Sequence, residues 1–513
     1  MSAVETYDLL VVGGGINGTG IARDAVGRGL RVLLCEQADL ASFTSSASTK
    51  LIHGGLRYLQ YYEFGLVTKA LKEREVLLRN APHIISPLHF VMPHNASRRP
   101  AWMIRAGLML YDHLGERKLL PPSKGINLRW HAAGRALVPS LVKGFGYWDC
   151  RVQDARLVLL NAMDAAQRGA TVLPRTRCVT ACARGRNWSV LLRGPGNGSE
   201  RRVVARALVN ATGPWVTSFL GEAVQVRPEH TVRLVQGSHI VVPKCFEHDH
   251  AYILQNNDGR IVFAIPYEQD FTLIGTTETL YHGDPAAART TEIEVGYLCR
   301  AVNRYFREPI RPADVVWAYS GVRPLYDERE GVEASAASRD YLLEWRTDPA
   351  PLLSVFGGKI TTYRMLAWEA MRKLSSVFGC DTGDWTRRAP LPGGDIPHAD
   401  FEGFYRGVVA RYRWLPQTLA RRLAHSYGTR LHQILNGARG LDGLGEHFGA
   451  GLYEAELRYL VDAEWAVTAA DVLWRRSKLG LRFNEAQTAR VTQWLAAEQT
   501  RRPFMAFDGQ PVR

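Results

Sequence analysis

The stretch Tyr7-Asp-Leu-Leu-Val-Val-Gly-Gly-Gly-Ile-Asn-Gly18 decides how the rest of the chain is read. Leu9 to Val12 is a short apolar, β-branched run, the pattern of a strand buried on both faces. Gly13, Gly15 and Gly18, with Gly14 between the first two, supply G-x-G-x-x-G. Gly13 permits a tight turn, Gly15 lets a pyrophosphate come close to the backbone, and Gly18 lets the next helix pack on the strand. That helix is predicted from about Asn17 to Arg28, with Gly29 as its C-cap. Its N-terminus offers N–H groups and partial positive charge to phosphates. Arg31-Val-Leu-Leu-Cys-Glu36 reads as the next parallel strand. Glu36 lies 23 residues beyond Gly13, where a carboxylate binds both hydroxyls of an adenosine ribose and repels a 2′-phosphate. The unit binds a dinucleotide, and not NADP.

At 513 residues the chain is too long for one simple core, so two or three domains are expected. The +14 net charge and pI near 9.5 suit anionic partners: a phosphorylated substrate, anionic lipid or nucleic acid. The excess is spread along the chain without a Lys/Arg block, which argues against nucleic acid. The seven cysteines are scattered and lack metal-finger spacing, so reduced thiols and no metal are expected. Glu5 and Asp8 stand where a signal peptide would carry its basic and apolar regions. No apolar run has the length of a membrane-spanning helix.

Thr44-Ser-Ser-Ala-Ser-Thr-Lys50 is a polar run whose hydroxyls, Thr44, Ser45 and Ser46 among them, can reach phosphates and ribose. It leads into Leu51-Ile-His-Gly-Gly-Leu-Arg-Tyr58. His53 and Arg57 are spaced i, i+4 and would share a face of a helix. Gly54-Gly55 between them suggests that something bulky, such as a flavin ring, approaches the backbone. Ala207 to Asn210, before Gly213, reads as a buried strand returning to the nucleotide-binding sheet. A β-rich block follows: Ser238 to Val242, Ala251 to Leu254, Arg260 to Tyr267 and Phe271 to Thr277. Asn257-Asp258-Gly259 signals a hairpin, so this sheet is antiparallel and suits a substrate-side cap. Leu352 to Thr362 reads as strand, glycine turn at Gly357-Gly358, then a helix capped by Thr361 or Thr362. Pro390-Leu-Pro-Gly-Gly394 reads as a linker, and the chain beyond it as a separate helical domain.

Three long motifs carry a resemblance: Ser45 to Leu59, Tyr319 to Leu325 and Phe356 to Arg364. On these the sequence resembles the bacterial aerobic glycerol-3-phosphate dehydrogenases, FAD-dependent enzymes, over nearly its full length. The resemblance implies an α/β fold: an FAD-binding, doubly wound (Rossmann-like) domain, an antiparallel β substrate cap and a C-terminal helical domain. The bounds expected are 1–75, 151–235 and 336–390 for the FAD-binding domain and 76–150 for a cap-associated helical segment. The cap is placed at 236–335 and the helical domain at 395–513. FAD is the implied cofactor, held by Gly13, Gly14, Gly15, Asn17, Gly18, Glu36, Thr44, Ser45, Ser46, Lys50, Gly213, Gly357, Gly358, Lys359 and Thr361. The implied reaction oxidises sn-glycerol 3-phosphate to dihydroxyacetone phosphate, with hydride passing to flavin N5 and electrons on to membrane quinone.

The chemistry needs a group to help the hydroxyl deprotonate. His53 titrates in the right range, Arg323 could stabilise an alkoxide, and Lys359 is a further catalytic candidate; the choice stays open. A phosphate dianion calls for fork-shaped donors, and Arg57, Arg323 and Arg339 match the motifs, with Tyr58, Thr276 and Lys359 as helpers. The rivals are a glycerol-3-phosphate oxidase using oxygen, an amino-acid-oxidising flavoenzyme, an NAD-dependent dehydrogenase, and a nucleotide-dependent RNA-binding or RNA-modifying protein. A cytoplasmic enzyme, peripheral on the inner face of the cell membrane at an anionic surface, is expected; a homodimer is carried as an open expectation. Trp102 to Leu114 is an apolar helix flanked by Arg98, Arg99, Arg117 and Lys118, but the favoured reading buries it between domains.

Overall fold

The computed structural model describes residues 4–94, 100–115, 119–195, 198–326 and 340–501. The apolar run Leu9 to Val12 has parallel neighbours on both sides, which is why it is hydrophobic throughout. Leu9 pairs with Val32 in the strand Val32–Cys35 and with Ala207 in the strand Glu200–Asn210. Among the described residues the nucleotide sheet has eight strands. Its path runs Tyr341–Arg346, Leu352–Gly357, Glu200–Asn210, Glu5–Val12, Val32–Cys35, Thr171–Leu173. An antiparallel hairpin, Arg177–Arg184 with Asn187–Arg193, extends it.

The first helix runs Ile16–Val26 and ends at Gly27 rather than Gly29; Gly29, at φ +84°, instead turns the chain toward the second strand. This helix is buried between the helices Asp154–Gln167 and Tyr363–Phe378. Gly20 and Gly27 are where Tyr363 and Trp385 press against it.

Among the described residues the second sheet has ten strands and is the cap. Its hairpins form where the sequence places them: Arg233–Pro243, Ala251–Gln255, Ile261–Tyr267 and Phe271–Gly275. Trp317–Leu325 pairs antiparallel along Arg233–Pro243. Two corrections follow. Segment 76–150 is not simply helical, because Ile85–Pro93 and Lys143–Val152 are long strands of this sheet. Pro87, Pro93, Gly144 and Gly146 disguise them as turn sequence; Gly146 leaves room for the His89 ring. The sheet also contains one parallel pair, Ala251–Gln255 beside Ile85–Pro93.

The tail is helical, with Phe401–Arg411, Gln417–Tyr427, Glu454–Glu464 and Glu485–Arg501. It is not a separate core. Leu457, Leu460, Val472 and Leu495 belong to the same buried cluster as Leu9 and Ile21. Buried ion pairs cross the junction: Arg156 with Glu464 at 2.9 Å, and Arg476 and Arg475 with Asp39. Periodicity marks which face of a helix is apolar but not what that face meets. Leu391 to Gly394 are buried as well, so the Pro/Gly run is packed chain rather than a free linker. Gly393 there comes so close to the Tyr427 carbonyl that no Cβ would fit.

The helix Ala101–Leu114 overturns its expected burial. Trp102 is 70% exposed, Met109 50% and Leu110 40%, and only Leu108 and Tyr111 are buried. Arg98, Arg99, Arg117 and Lys118 lie outside the described residues. Among the described residues, no helix is long and apolar enough to cross a membrane.

Candidate active site

A cavity of about 740 Å³ lies between the two sheets, floored by the ends of the nucleotide strands and walled by the cap. At its floor, Gly13 has φ +115° and lies against the Ala211 carbonyl, and a Cβ on Gly18 would strike the Gly13 carbonyl. Gly15 differs from both: within the protein a Cβ there would meet only Ser45 Oγ, at 3.1 Å. The room beside Gly15 opens into the cavity it lines, at the N-terminus of a buried helix, as a pyrophosphate cradle requires.

Glu36 anchors this turn. Its Oε2 accepts from Gly14 N at 2.7 Å and its Oε1 from Ala38 N at 2.8 Å. Burial pushes its carboxyl above the ordinary range against the pull of those N–H donors. Glu36 lines the cavity, and each carboxylate oxygen has capacity for a second hydrogen bond, as ribose hydroxyls would need.

Asn17 Nδ2 donates to the Gly357 carbonyl at 3.2 Å and so clamps the glycine turn to the first helix. Asn17 Oδ1 is buried without a partner, a sign of a ligand-facing group. Gly357 and Gly358, at φ +80° and +101°, hold conformations that side chains resist. Ser45 Oγ accepts from Ile16 N at 3.0 Å, and Thr44 Oγ1 donates to the Val322 carbonyl at 2.6 Å, tying the hydroxyl loop to the cap. Gly213 and Thr361 also line the cavity, and Thr361 Oγ1 accepts from His53 N at 3.3 Å.

Three expected cofactor residues lie off the cavity lining: Gly18, which packs against the Gly13 carbonyl, and Ser46 and Lys50. Lys50 Nζ is buried in an ion pair with Asp154 at 2.9 Å and donates to the Ser46 carbonyl. Ser46 Oγ donates to Phe43. Neither lines the cavity; they hold the loop from behind.

On the cap side, Arg323 Nη2 donates to Thr276 Oγ1 at 2.9 Å. A Cβ on Gly237 would occupy the place of that guanidinium. Lys359, after the glycine turn, puts Nζ 3.9 Å from the centroid of the Tyr58 ring. His53, Tyr58, Thr276, Arg323 and Lys359 all line the cavity. Arg57 does not: its Nη2 donates to Tyr61 OH at 3.4 Å near the surface. His53 and Arg57 share no helical face, because the 3₁₀ turn begins only at Leu56. The Gly54-Gly55 pair makes room for Leu71, the Tyr111 hydroxyl and the Tyr58 ring, not for a cofactor. Arg339 lies outside the described residues.

The sequence reading missed Phe263 and Asp340, which line the cavity, and His239 beneath it. His239 Nε2 lies 2.9 Å from Thr49 Oγ1, and its ring stacks on Tyr319. Burial, with Arg323 and Lys50 nearby, holds the imidazole well below its ordinary range, hence neutral. Its signal was the opposed glycine, Gly275, whose missing side chain leaves space for the ring.

A glycine cradle, a ribose acid and a redox-sized cavity under a cationic cap wall together define a dinucleotide-dependent oxidoreductase. Comparison with known proteins sharpens this. Residues 8–364 match the FAD dependent oxidoreductase family, and residues 385–499 match the C-terminal domain of alpha-glycerophosphate oxidase. The chain is 52% identical over 501 residues to the glycerol-3-phosphate dehydrogenase of Pseudomonas aeruginosa, covering 97% of each chain. It is 51% identical to the D-erythritol 1-phosphate dehydrogenase of Brucella abortus, over 96% of this chain and 98% of that one. The structure superposes on the glycerol-3-phosphate dehydrogenase of Bacillus halodurans complexed with FAD, with a TM-score of 0.75 and 27% identity, over 96% and 94% of the two chains. The chain belongs to the FAD-dependent oxidoreductase family, in the branch that includes these polyol-phosphate dehydrogenases. FAD is its cofactor, and the Gly13–Gly15 cradle, Asn17 and Glu36 fit it.

Proposed function

We propose that the protein oxidises sn-glycerol 3-phosphate to dihydroxyacetone phosphate and passes the electrons to a membrane quinone. One observation carries this reading: Arg323, Lys359 and Thr276 converge on the cavity, giving a phosphate or an alkoxide two cations and a hydroxyl. FAD, when bound, supplies the acceptor for the hydride leaving carbon. Arg323 is held against Thr276, so its guanidinium stabilises negative charge without reorganising. Lys359, braced on Tyr58, is a point charge for phosphate. His53 is the candidate to take the hydroxyl proton. Arg57 and Arg339 remain proposed phosphate ligands, and Arg57 must leave Tyr61 to act.

A second reading is favoured by the near-equal identity to the erythritol-phosphate enzyme: a four-carbon polyol phosphate as substrate. The phosphate donors and the alcohol chemistry are the same for both. Anaerobic bleaching of the bound flavin decides. Glycerol 3-phosphate should bleach it at micromolar to millimolar levels and glycerol should not; a faster reaction with erythritol 1-phosphate transfers the assignment. Bleaching by neither would remove the reading. Peroxide formed stoichiometrically on aerobic turnover would replace quinone by oxygen as acceptor.

Quinone dissolves in the bilayer, so the enzyme must reach that surface. The exposed apolar face of Ala101–Leu114 supports a peripheral seat on the inner, anionic face of the cell membrane. Trp102 is a side chain that favours the lipid–water interface.

A further inference from the structure

Away from the cavity, the chain crosses from one sheet to the other through residues 225–232, between Leu220–Val224 and the cap strand Arg233–Pro243. Glu229 and His230 stand on this crossing. Facing them is Tyr341–Arg346, the edge strand of the nucleotide sheet. Alternation puts Leu342, Glu344 and Arg346 on one side of it, and Leu342 packs on the second hydrophobic cluster.

Glu344 is 7% exposed. Its Oε1 accepts from Arg346 Nε at 2.7 Å, but its Oε2 is buried with no hydrogen-bond partner. His230 Nε2 stands 3.9 Å from that oxygen, beyond hydrogen-bond reach. The His230 ring is fixed edge-on by Tyr326 and Phe356, with centroids 5.5 and 5.9 Å away. One ligand atom each from Glu229, His230 and Glu344 lies within 4.8 Å of the others.

Arg346 also reaches Glu229, at 3.5 Å, and a plain ion-pair cluster would explain that contact. It leaves Oε2 of Glu344 unmet, 3.9 Å from the His230 imidazole, while Arg346 Nη2 is likewise buried without a hydrogen-bond partner. An arginine that fixes one carboxylate oxygen while the other is left to bind is how metal ligands are oriented. Donors about 2.0–2.2 Å from one ion stand roughly 3–3.5 Å apart, so small side-chain movements close this site. Two carboxylates and one imidazole suit Mn²⁺ or Zn²⁺.

We propose that Glu229, His230 and Glu344 bind one divalent transition-metal ion, which ties the crossing between the sheets to the edge strand beside the Phe356–Gly357 turn. The sequence, with no metal spacing, gives no hint of it, because the third ligand comes from a distant strand.

The test uses the untagged, flavin-loaded enzyme after chelator treatment, titrated with MnCl₂ and followed by the EPR signal of free Mn²⁺. Mn²⁺ is chosen because the imidazoles of His89, His131 and His250, grouped on the cap, would favour Zn²⁺. The expected result is one Mn²⁺ per chain with a Kd below about 0.1 mM, displaced by Zn²⁺. Glu344→Gln, which keeps the Arg346 contact, and His230→Ala, at a half-buried position, should each weaken binding about tenfold or more with flavin content unchanged. Absence of sub-millimolar binding in the wild type, or equal binding in both variants, would overturn the proposal and leave an ion-pair cluster only.

Discussion

Lys359 Nζ rests 3.9 Å from the centre of the Tyr58 ring, joining the glycine turn of the nucleotide sheet to the 3₁₀ turn Leu56–Tyr61. Such a contact is worth about 0.5–2 kcal/mol, and here it aims a cation at the cavity. Tyr58→Phe keeps the ring face and should leave KM within about threefold, whereas Tyr58→Ala or Lys359→Ala should raise it about 10- to 100-fold. Arg57→Ala should raise KM comparably only if its side chain leaves Tyr61 to meet substrate; a parental KM would place it outside the site. Steady-state kinetics with flavin content measured on each variant separates these outcomes.

Gly15→Val should purify with little flavin. Its Cβ meets only Ser45 Oγ inside the protein, at 3.1 Å, where a small shift of that hydroxyl is needed, and the added bulk fills the cradle. The ratio of flavin to protein absorbance is the readout, and a fully yellow, folded Gly15→Val protein would refute the cradle.

The face of Ala101–Leu114 predicts vesicle binding. Wild type should float with anionic vesicles at low salt, and less so at high salt or on neutral lipid. Trp102→Ala/Met109→Ala/Leu110→Ala should sediment, because these exposed side chains are its apolar contacts. If the triple variant floats as well as wild type, a different surface docks; if wild type never floats, membrane attachment is wrong.

His83 sets an acid limit. It is buried, both ring nitrogens lack partners, and burial with Arg156 nearby pushes it down to about 3. The unfolded chain titrates near 6.5, so below that pH it binds the extra proton and native stability falls. At pH 5 the loss from this group is about 2 kcal/mol. Urea melts at pH 7.5 and pH 5 should show His83→Leu losing about that much less than wild type; identical pH sensitivity would exclude His83 as the source.

Arg156 and Glu464 form a bidentate, fully buried pair. Glu464→Leu alone should cost roughly 3–5 kcal/mol by stranding the guanidinium, and Arg156→Met/Glu464→Leu should recover most of it. Equal losses in the single and double variants would mean that the pair is not the coupled unit described.

The nucleotide unit was legible because its signals are local: an apolar run, glycines at fixed spacing and an acid on the next strand. The cap hairpins were legible for the same reason, with Asn257-Asp258-Gly259 as their turn. What stayed hidden depends on partners far along the chain. Pro87 and Gly146 look like breakers until the strands Ile85–Pro93 and Lys143–Val152 lie side by side. Lys50 looks like a phosphate ligand until Asp154 takes its charge. Gly54-Gly55 looks like a cofactor contact until Leu71 and Tyr111 fill the space. His239 has no motif of its own, only a glycine across from it on the neighbouring strand.

The Asp39 contacts have a consequence for how the enzyme is made. Asp39 follows the ribose acid Glu36 by three residues, and Arg475 and Arg476 grip it from the far end of the chain. Arg175, whose backbone holds the same loop through Ala38, is gripped in turn by Asp471. The ribose end of the nucleotide site is therefore braced only once the segment carrying Asp471, Arg475 and Arg476 has been made and folded onto it. The expected outcome is that chains truncated before residue 470 emerge colourless while chains carrying Asp471, Arg475 and Arg476 take up FAD.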